Sequence, residues 1–267
     1  MSIEKEIYHL QNHVVILGYN DRVERIVEEL NGEGVEDEEM AVLIAADIES
    51  CPAERFQNVH LYRGNPTKES TLKELKLDQA KVVLVVADHK GGKEEGGGSL
   101  DAQTVLTVIT LHRFLTLTLD NGQTPPRIIA ECMEENTLEH LKNAGCDEII
   151  LIGSTSAALL AASVINPGIT QFFSEVFSTL FGHEFYIVPP PRELHGMTFL
   201  QALKWLKVNY GDIIVAVKRG KQIFVNPRRF VILKDDEIVV LSRHKPYYHL
   251  HKQHTLDYQF FLGGKGE

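Results

Sequence analysis

One stretch of the sequence has the spacing of a phosphate-binding turn. An apolar run, HVVIL (13–17), ends in Gly18-Tyr19-Asn20-Asp21-Arg22-Val23. A dinucleotide fingerprint would place glycine at 18, 20 and 23. The first permits a tight turn, the second lets the backbone approach a pyrophosphate, and the third lets the helix pack close to the strand. Only Gly18 meets the pattern. Asn20 can still adopt a left-handed turn, and a helix beginning after it presents free N–H groups to an anion. Further candidates close other apolar runs. Asp47 ends AVLIAAD (41–47), where an acid accepts hydrogen bonds from a ribose in such folds. Asn65 follows VHLYRG (59–64), Ala87 and Asp88 end KVVLVVAD (81–88), and Glu131 lies in RIIAEC (127–132). The chemistry open to Gly18, Tyr19, Asn20, Asp21, Asp47, Asn65, Ala87 and Asp88 is the binding of NAD(H) or an adenine nucleotide.

Each of these has a plainer reading. Asp47 fits a solvated loop, and Asp88 fits a cap on the segment after it. Thr67, followed by Glu69 and Ser70, fits a helix cap. Glu131 could join a metal or ribose site, but Asn65 and Met133 are not the carboxylates that calcium prefers. The motifs of other chemistries are missing: there is no GxSxG, no HExxH and no Walker lysine. His183 and His195 have no catalytic partner in the sequence. His244, His249, His251 and His254 lie in a tail that holds no Cys, and a surface tail explains them better than a transition-metal site. Trp205 falls on an apolar helical face and reads as core.

The elements that must position these residues follow from the runs themselves. Apolar, β-branched stretches at 13–17, 41–47, 59–64, 81–88, 127–132 and 148–153 alternate with helical spacing, as at Val23, Ile26, Val27 and Leu30. A longer helix is expected from Leu100 to about Leu119, and a polar one over Glu135–Asn143 closed by Gly145. This alternation predicts βαβ units and a parallel sheet buried on both faces. The fold class is therefore α/β: a Rossmann-like, doubly wound parallel sheet, then interface or crossover helices, then a small α+β C-terminal lobe. The boundaries are 12–153 for the first lobe, 154–183 for the helices, 184–243 for the second lobe and 244–267 for a loosely ordered tail.

Composition narrows the partners. The 267 residues carry 27 Lys+Arg against 37 Asp+Glu, a net charge of −10, which argues against a nucleic-acid partner. Cys51, Cys132 and Cys146 form no CxxC pair, so neither a disulfide framework nor a zinc ribbon is expected. The start, MSIEKEIYHLQNH, is too polar for a signal peptide. Residues 149–174 carry no charge, long enough for a membrane span. However, Gly153-Ser154-Thr155-Ser156 and Asn166-Pro167-Gly168 divide them, so a buried or subunit-interface helix is the better reading.

The order HVVILGYND, AVLIAADIE, VHLYRGNPTKESTLKELKLDQAKVVLVVAD, DAQTVLTVITL, PPRIIAEC and LEHLKNAGCDEIIL resembles the RCK family (regulator of potassium conductance), with its TrkA-N and TrkA-C parts. RELHGMTFLQALKWLKVNYGDIIVAVKRGKQIFVNP and LKDDEIVVLS resemble the C-terminal lobe of that family, and the likeness covers about residues 12–243. The DAQTVLTVITL helix and the INPG break look like bacterial or archaeal channel versions. The resemblance implies a ligand-sensing gating domain at the cytoplasmic face of the cell membrane. It implies self-association into dimers and a tetrameric or octameric ring, a membrane pore domain as partner, and residues from Ile149 onward as the interface. A calcium-gated member would carry acids where Asn65 and Met133 stand, so only Glu131 of that calcium site remains. The alternatives are a separate regulatory subunit of a Trk/Ktr-type potassium transporter, a Rossmann oxidoreductase, and a ligand-free scaffold.

Overall fold

The computed structural model describes residues 9–32, 40–87, 99–120, 122–180 and 182–248. The chain divides into two compact units, one holding most of the residues up to Thr170 and the other running from Gln171 onward.

The first unit is built on six parallel strands: β1 (His13–Leu17), β2 (Val42–Ala46), β3 (Val59–Arg63), β4 (Ala80–Val85), β5 (Arg127–Cys132) and β6 (Glu148–Leu151). Their order across the sheet is β3-β2-β1-β4-β5-β6. Every residue of β1 and β2 is buried. Because successive side chains point to opposite faces, each run feeds two cores at once. Val15, Leu17, Leu43, Ala45, Val83 and Val85 pack on one face with Val108, Leu111 and Leu115 of α3 (Ala102–Thr118) and Leu141 of α4 (Leu138–Asn143). Val14, Ile16, Val42, Ile44 and Ala46 pack on the other with Val23 and Val27 of α1 (Val23–Leu30). The sheet is therefore covered on both sides, as a Rossmann-like doubly wound domain requires.

STLKELKL, helical in its spacing, forms only the single turn α2 (Glu69–Leu72) and two 3₁₀ turns, because Lys76 adopts a left-handed φ of 51° and ends the helix there. The uncharged stretch after β6 forms α5 (Ile152–Ile165), then turns at Gly168 into α6 (Ile169–Phe177). The helical spacing of GITQFFSEVFSTLF runs on toward Gly182, but α6 ends at Phe177. No side chain of α5 is buried, and Leu160, Val164 and Ile165 are exposed. Among the described residues no helix is long and apolar enough to cross a membrane.

The second unit carries an antiparallel sheet of β7 (Glu184–Val188), β8 (Ile213–Arg219), β9 (Gln222–Val225) and β10 (Glu237–Ser242), in the order β7-β10-β8-β9. Across it lies α7 (Phe199–Tyr210). Thr198 and Gln201 cap its start reciprocally, and Gly211, at φ 79°, closes its end. Phe199, Ala202 and Leu206 pack there with Ile214, Val217, Ile238 and Val240, and Trp205 is half-buried against the same cluster. The packed chain continues past residue 243: Tyr248 is buried, and its hydroxyl donates to Asp212 at 2.7 Å. Of the tail histidines, His244 is exposed, while His249, His251 and His254 lie outside the described residues.

Candidate functional site

The strand order reverses between β1 and β4, and open α/β sheets bind ligands at such a crevice, beyond the carboxyl ends of the strands. Gly18 is indispensable there. Its φ is +96°, and a Cβ would stand 2.8 Å from the carbonyl oxygen of Val86. Glycine thus lets the end of β1 press against the end of β4, which side chains of any size would prevent.

Asn20, buried, fills the place of the second fingerprint glycine. Its amide nitrogen donates to the Ala87 carbonyl at 2.8 Å and to Glu131 Oε2 at 2.9 Å. Its Oδ1 accepts from the backbone N–H of Arg22 at 2.9 Å, and its own carbonyl accepts from Val23 N–H at 3.1 Å. Asn20 therefore consumes N–H groups at the start of α1 that the sequence pattern leaves for an anion.

The anion in the crevice belongs to the protein. Glu131, 4% exposed, projects from the end of β5. Its Oε1 accepts from Arg22 Nε and its Oε2 from Arg22 Nη2, both at 2.8 Å. The Ala87 backbone N–H adds a bond to Oε2 at 2.9 Å. Burial pushes the Glu131 pKa upward, but the Arg22 hydrogen bonds, the Ala87 N–H, the Arg22 charge and Asn20 together hold it below the usual carboxylate value. The Arg22 pKa is raised by the same hydrogen bonds. Glu131 is thus an ionised, bidentately paired carboxylate, unsuited to donate a proton near neutral pH.

The remaining candidates do not join it. Tyr19 is half-buried against the α1 face of the sheet, where burial and the neighbouring Cys51 raise its pKa. Asp21 is exposed. The Asp47 side chain is 76% exposed and lies 3.8 Å from Arg63 Nε. Asn65 is exposed and turned on its own loop, its Oδ1 accepting from Thr67 N–H at 2.9 Å and Thr67 Oγ1 at 2.7 Å. Asp88 lies outside the described residues. Asn20 and Ala87 therefore converge on Glu131, and Gly18 packs on Val86 next to Ala87, whereas Asp47 and Asn65 are satisfied locally.

Two residues passed over in the sequence complete the arrangement. Arg22 neutralises Glu131, since a lone acid at the end of a buried strand needs a cation. Asp101, fully buried before α3, accepts from the backbone N–H groups of Met133 at 2.8 Å and Glu134 at 2.9 Å. It thereby fixes the chain that leaves β5. The Cys132 thiol, buried beside Asp101, has its pKa pushed up to about 11, so it is not a reactive thiolate. Among the described residues no group of three or more His, Cys, Asp or Glu side chains gathers to hold a metal ion.

A doubly wound parallel sheet with a modified Gly18 turn, followed by a small antiparallel second lobe, defines a chain whose first lobe is Rossmann-like. The chain belongs to the TrkA-N domain family, whose model matches residues 14–152. It is 28% identical over 236 residues to the calcium-gated potassium channel TvoK of Thermoplasma volcanium, a match covering 88% of this chain and 64% of TvoK. It is 23% identical to the ion channel CASTOR of Lotus japonicus, covering 87% of this chain and 27% of that protein. The chain thus spans less than two thirds of either relative. In fold it is similar to the human SLO3 gating ring, with a TM-score of 0.63 at 12% identity over 86% of this chain and 44% of that one.

Proposed function

We propose that this chain is the cytoplasmic ligand-sensing domain of a potassium channel, coupling ligand binding to the opening of a membrane pore. The observation that carries the proposal is the extent of the likeness to TvoK. It runs over 88% of the chain, which is more than the parallel sheet alone and takes in the second lobe. The apolar surface of α5, which buries none of its side chains in the single chain, suits self-association into dimers and then a tetrameric or octameric ring. The mechanism is a population shift: a ligand that prefers one arrangement of the assembly biases the gate by its differential affinity.

The crevice supports regulation over catalysis. Among the described residues Glu131 is its one buried acid, and that acid is depressed and paired, which suits a structural role better than proton donation. Nor does it offer calcium a set of acidic ligands, since Arg22 already neutralises Glu131 and Asn65 binds its own loop.

The test is a chimera in which this chain replaces the matching part of TvoK, recorded in planar bilayers. The expected result is an open probability that changes severalfold with at least one member of a panel of NAD, ADP, ATP and divalent cations perfused on the side of the grafted domain. Light scattering of the purified chain should give a dimer or larger ring. A monomeric chain, together with a chimera that behaves as the truncated pore alone, would sink the reading.

A further inference from the structure

The crevice between β1 and β4 is a complete anion site whose anion is a side chain of the protein. Glu131 receives the Arg22 guanidinium on both oxygens, and its Oε2 also receives the Asn20 amide and the Ala87 N–H. Those are the kinds of donor that a phosphate at a Rossmann turn would require. The N–H groups of Arg22 and Val23 at the head of α1 are taken by Asn20. A phosphate entering would have to displace a buried carboxylate from its cation and lie beside that negative charge. Like charges at hydrogen-bonding distance in a desolvated site repel strongly.

We propose that Glu131 is the internal occupant of this crevice and the residue that excludes nucleotide phosphates from it. The Rossmann turn is retained as a clamp joining β1, β4 and β5 rather than as a nucleotide site. This goes beyond the gating reading and stands without it. A regulatory ligand, if the gating reading holds, binds elsewhere on the assembly.

The experiment is calorimetric titration of the purified full chain with ADP, and separately with inorganic phosphate. Wild type, Arg22→Ala, Glu131→Ala, Glu131→Gln and the double variant Glu131→Ala with Arg22→Ala are compared. The expected result is no binding to wild type at millimolar ADP and binding to Glu131→Ala at least tenfold tighter. Removing Arg22 as well should abolish that gain. Phosphate should raise the Tm of Glu131→Ala and leave wild type unmoved.

Two results would overturn the proposal. One is a folded Glu131 variant that gains no affinity for either anion. The other is wild-type binding of ADP that Arg22→Ala weakens, since this would place the nucleotide in the crevice with Glu131 present. Glu131→Gln keeps the side-chain shape should the alanine variant not fold. If neither Glu131 variant folds, wild-type binding of ADP that Arg22→Ala weakens would still overturn the proposal.

Discussion

Each unit of the molecule contains a buried carboxylate held by a partly exposed arginine, and the two pairs do different work. In the second unit Asp236 accepts from Arg219 Nε at 2.6 Å and Nη2 at 2.8 Å, and from the Leu233 N–H at 2.8 Å. Its partners lie within 17 residues along the chain, so it closes the turn before β10 onto the end of β8. Glu131 draws its partners from 44 to 111 residues away and ties three strand ends together. The local pair secures a turn. The distant one occupies the place where folds of this class keep their ligand. The lesson is that similar bidentate geometry carries functional meaning only through the site it fills.

Removing each acid in turn tests that contrast. Glu131→Ala should have the largest effect, about 3 kcal/mol of lost stability, because it strands Arg22, Asn20 and the Ala87 N–H together beside a new cavity. Urea denaturation of the whole chain, followed by circular dichroism, measures it. Asp236→Ala strands only Arg219 and one N–H. The Arg219 side chain is 42% exposed and can return to water, so a loss of about 2 kcal/mol or less is expected. An equal or larger loss at Asp236 would break the comparison.

Acid titration sharpens it. Hydrogen bonds from Arg219 hold the Asp236 pKa below its usual value, and Glu131 is also depressed once its donors have outweighed burial. A carboxyl with a lowered folded-state pKa contributes stability that is fully present above its unfolded value, about 4. That contribution is lost as pH falls through the folded-state value. Thermal unfolding between pH 7 and 3 should therefore show a falling acid limb below about pH 4. Glu131→Gln should flatten this limb more than Asp236→Asn does, because Glu131 takes donors from three residues and Asp236 from two. Two variants with unchanged acid limbs would show that neither carboxylate is linked to folding.

The architecture was legible because its signals are local and repeated. HVVIL and AVLIAA supply residues to both cores, and a continuously apolar run admits few structures other than a strand covered on both sides. Helix lengths were less legible. STLKELKL has good helical spacing, yet Lys76 turns left-handed within it, and tertiary context overrode propensity there. The site was half visible. Gly18, Asn20 and Ala87 stood out because each closes a run or stands at a fingerprint position. Arg22 did not, because its role depends on Glu131, 109 residues away, and no short motif records such a pairing. Asp101 was missed for the same reason: its partners follow β5 by topology and not by sequence spacing.

The smallest effect is expected at Asp47, the residue that fold analogy marks as a ribose acceptor. Its side chain is 76% exposed and its nearest cation, Arg63, is 3.8 Å away and itself 63% exposed. Such a pair contributes little in water, so Asp47→Ala should shift stability by less than about 0.5 kcal/mol. Its functional weight then depends on Glu131. With the phosphates excluded, a ribose has no anchor beside Asp47, and the substitution should leave the wild-type response to ADP unchanged. In a Glu131→Ala background, where ADP is expected to enter, the same substitution should weaken binding, by about tenfold if one charged hydrogen bond is lost. Calorimetry on the four combinations reads this coupling directly. If Asp47→Ala weakens ADP binding by the wild-type chain, the nucleotide already occupies the crevice and Glu131 is not its barrier.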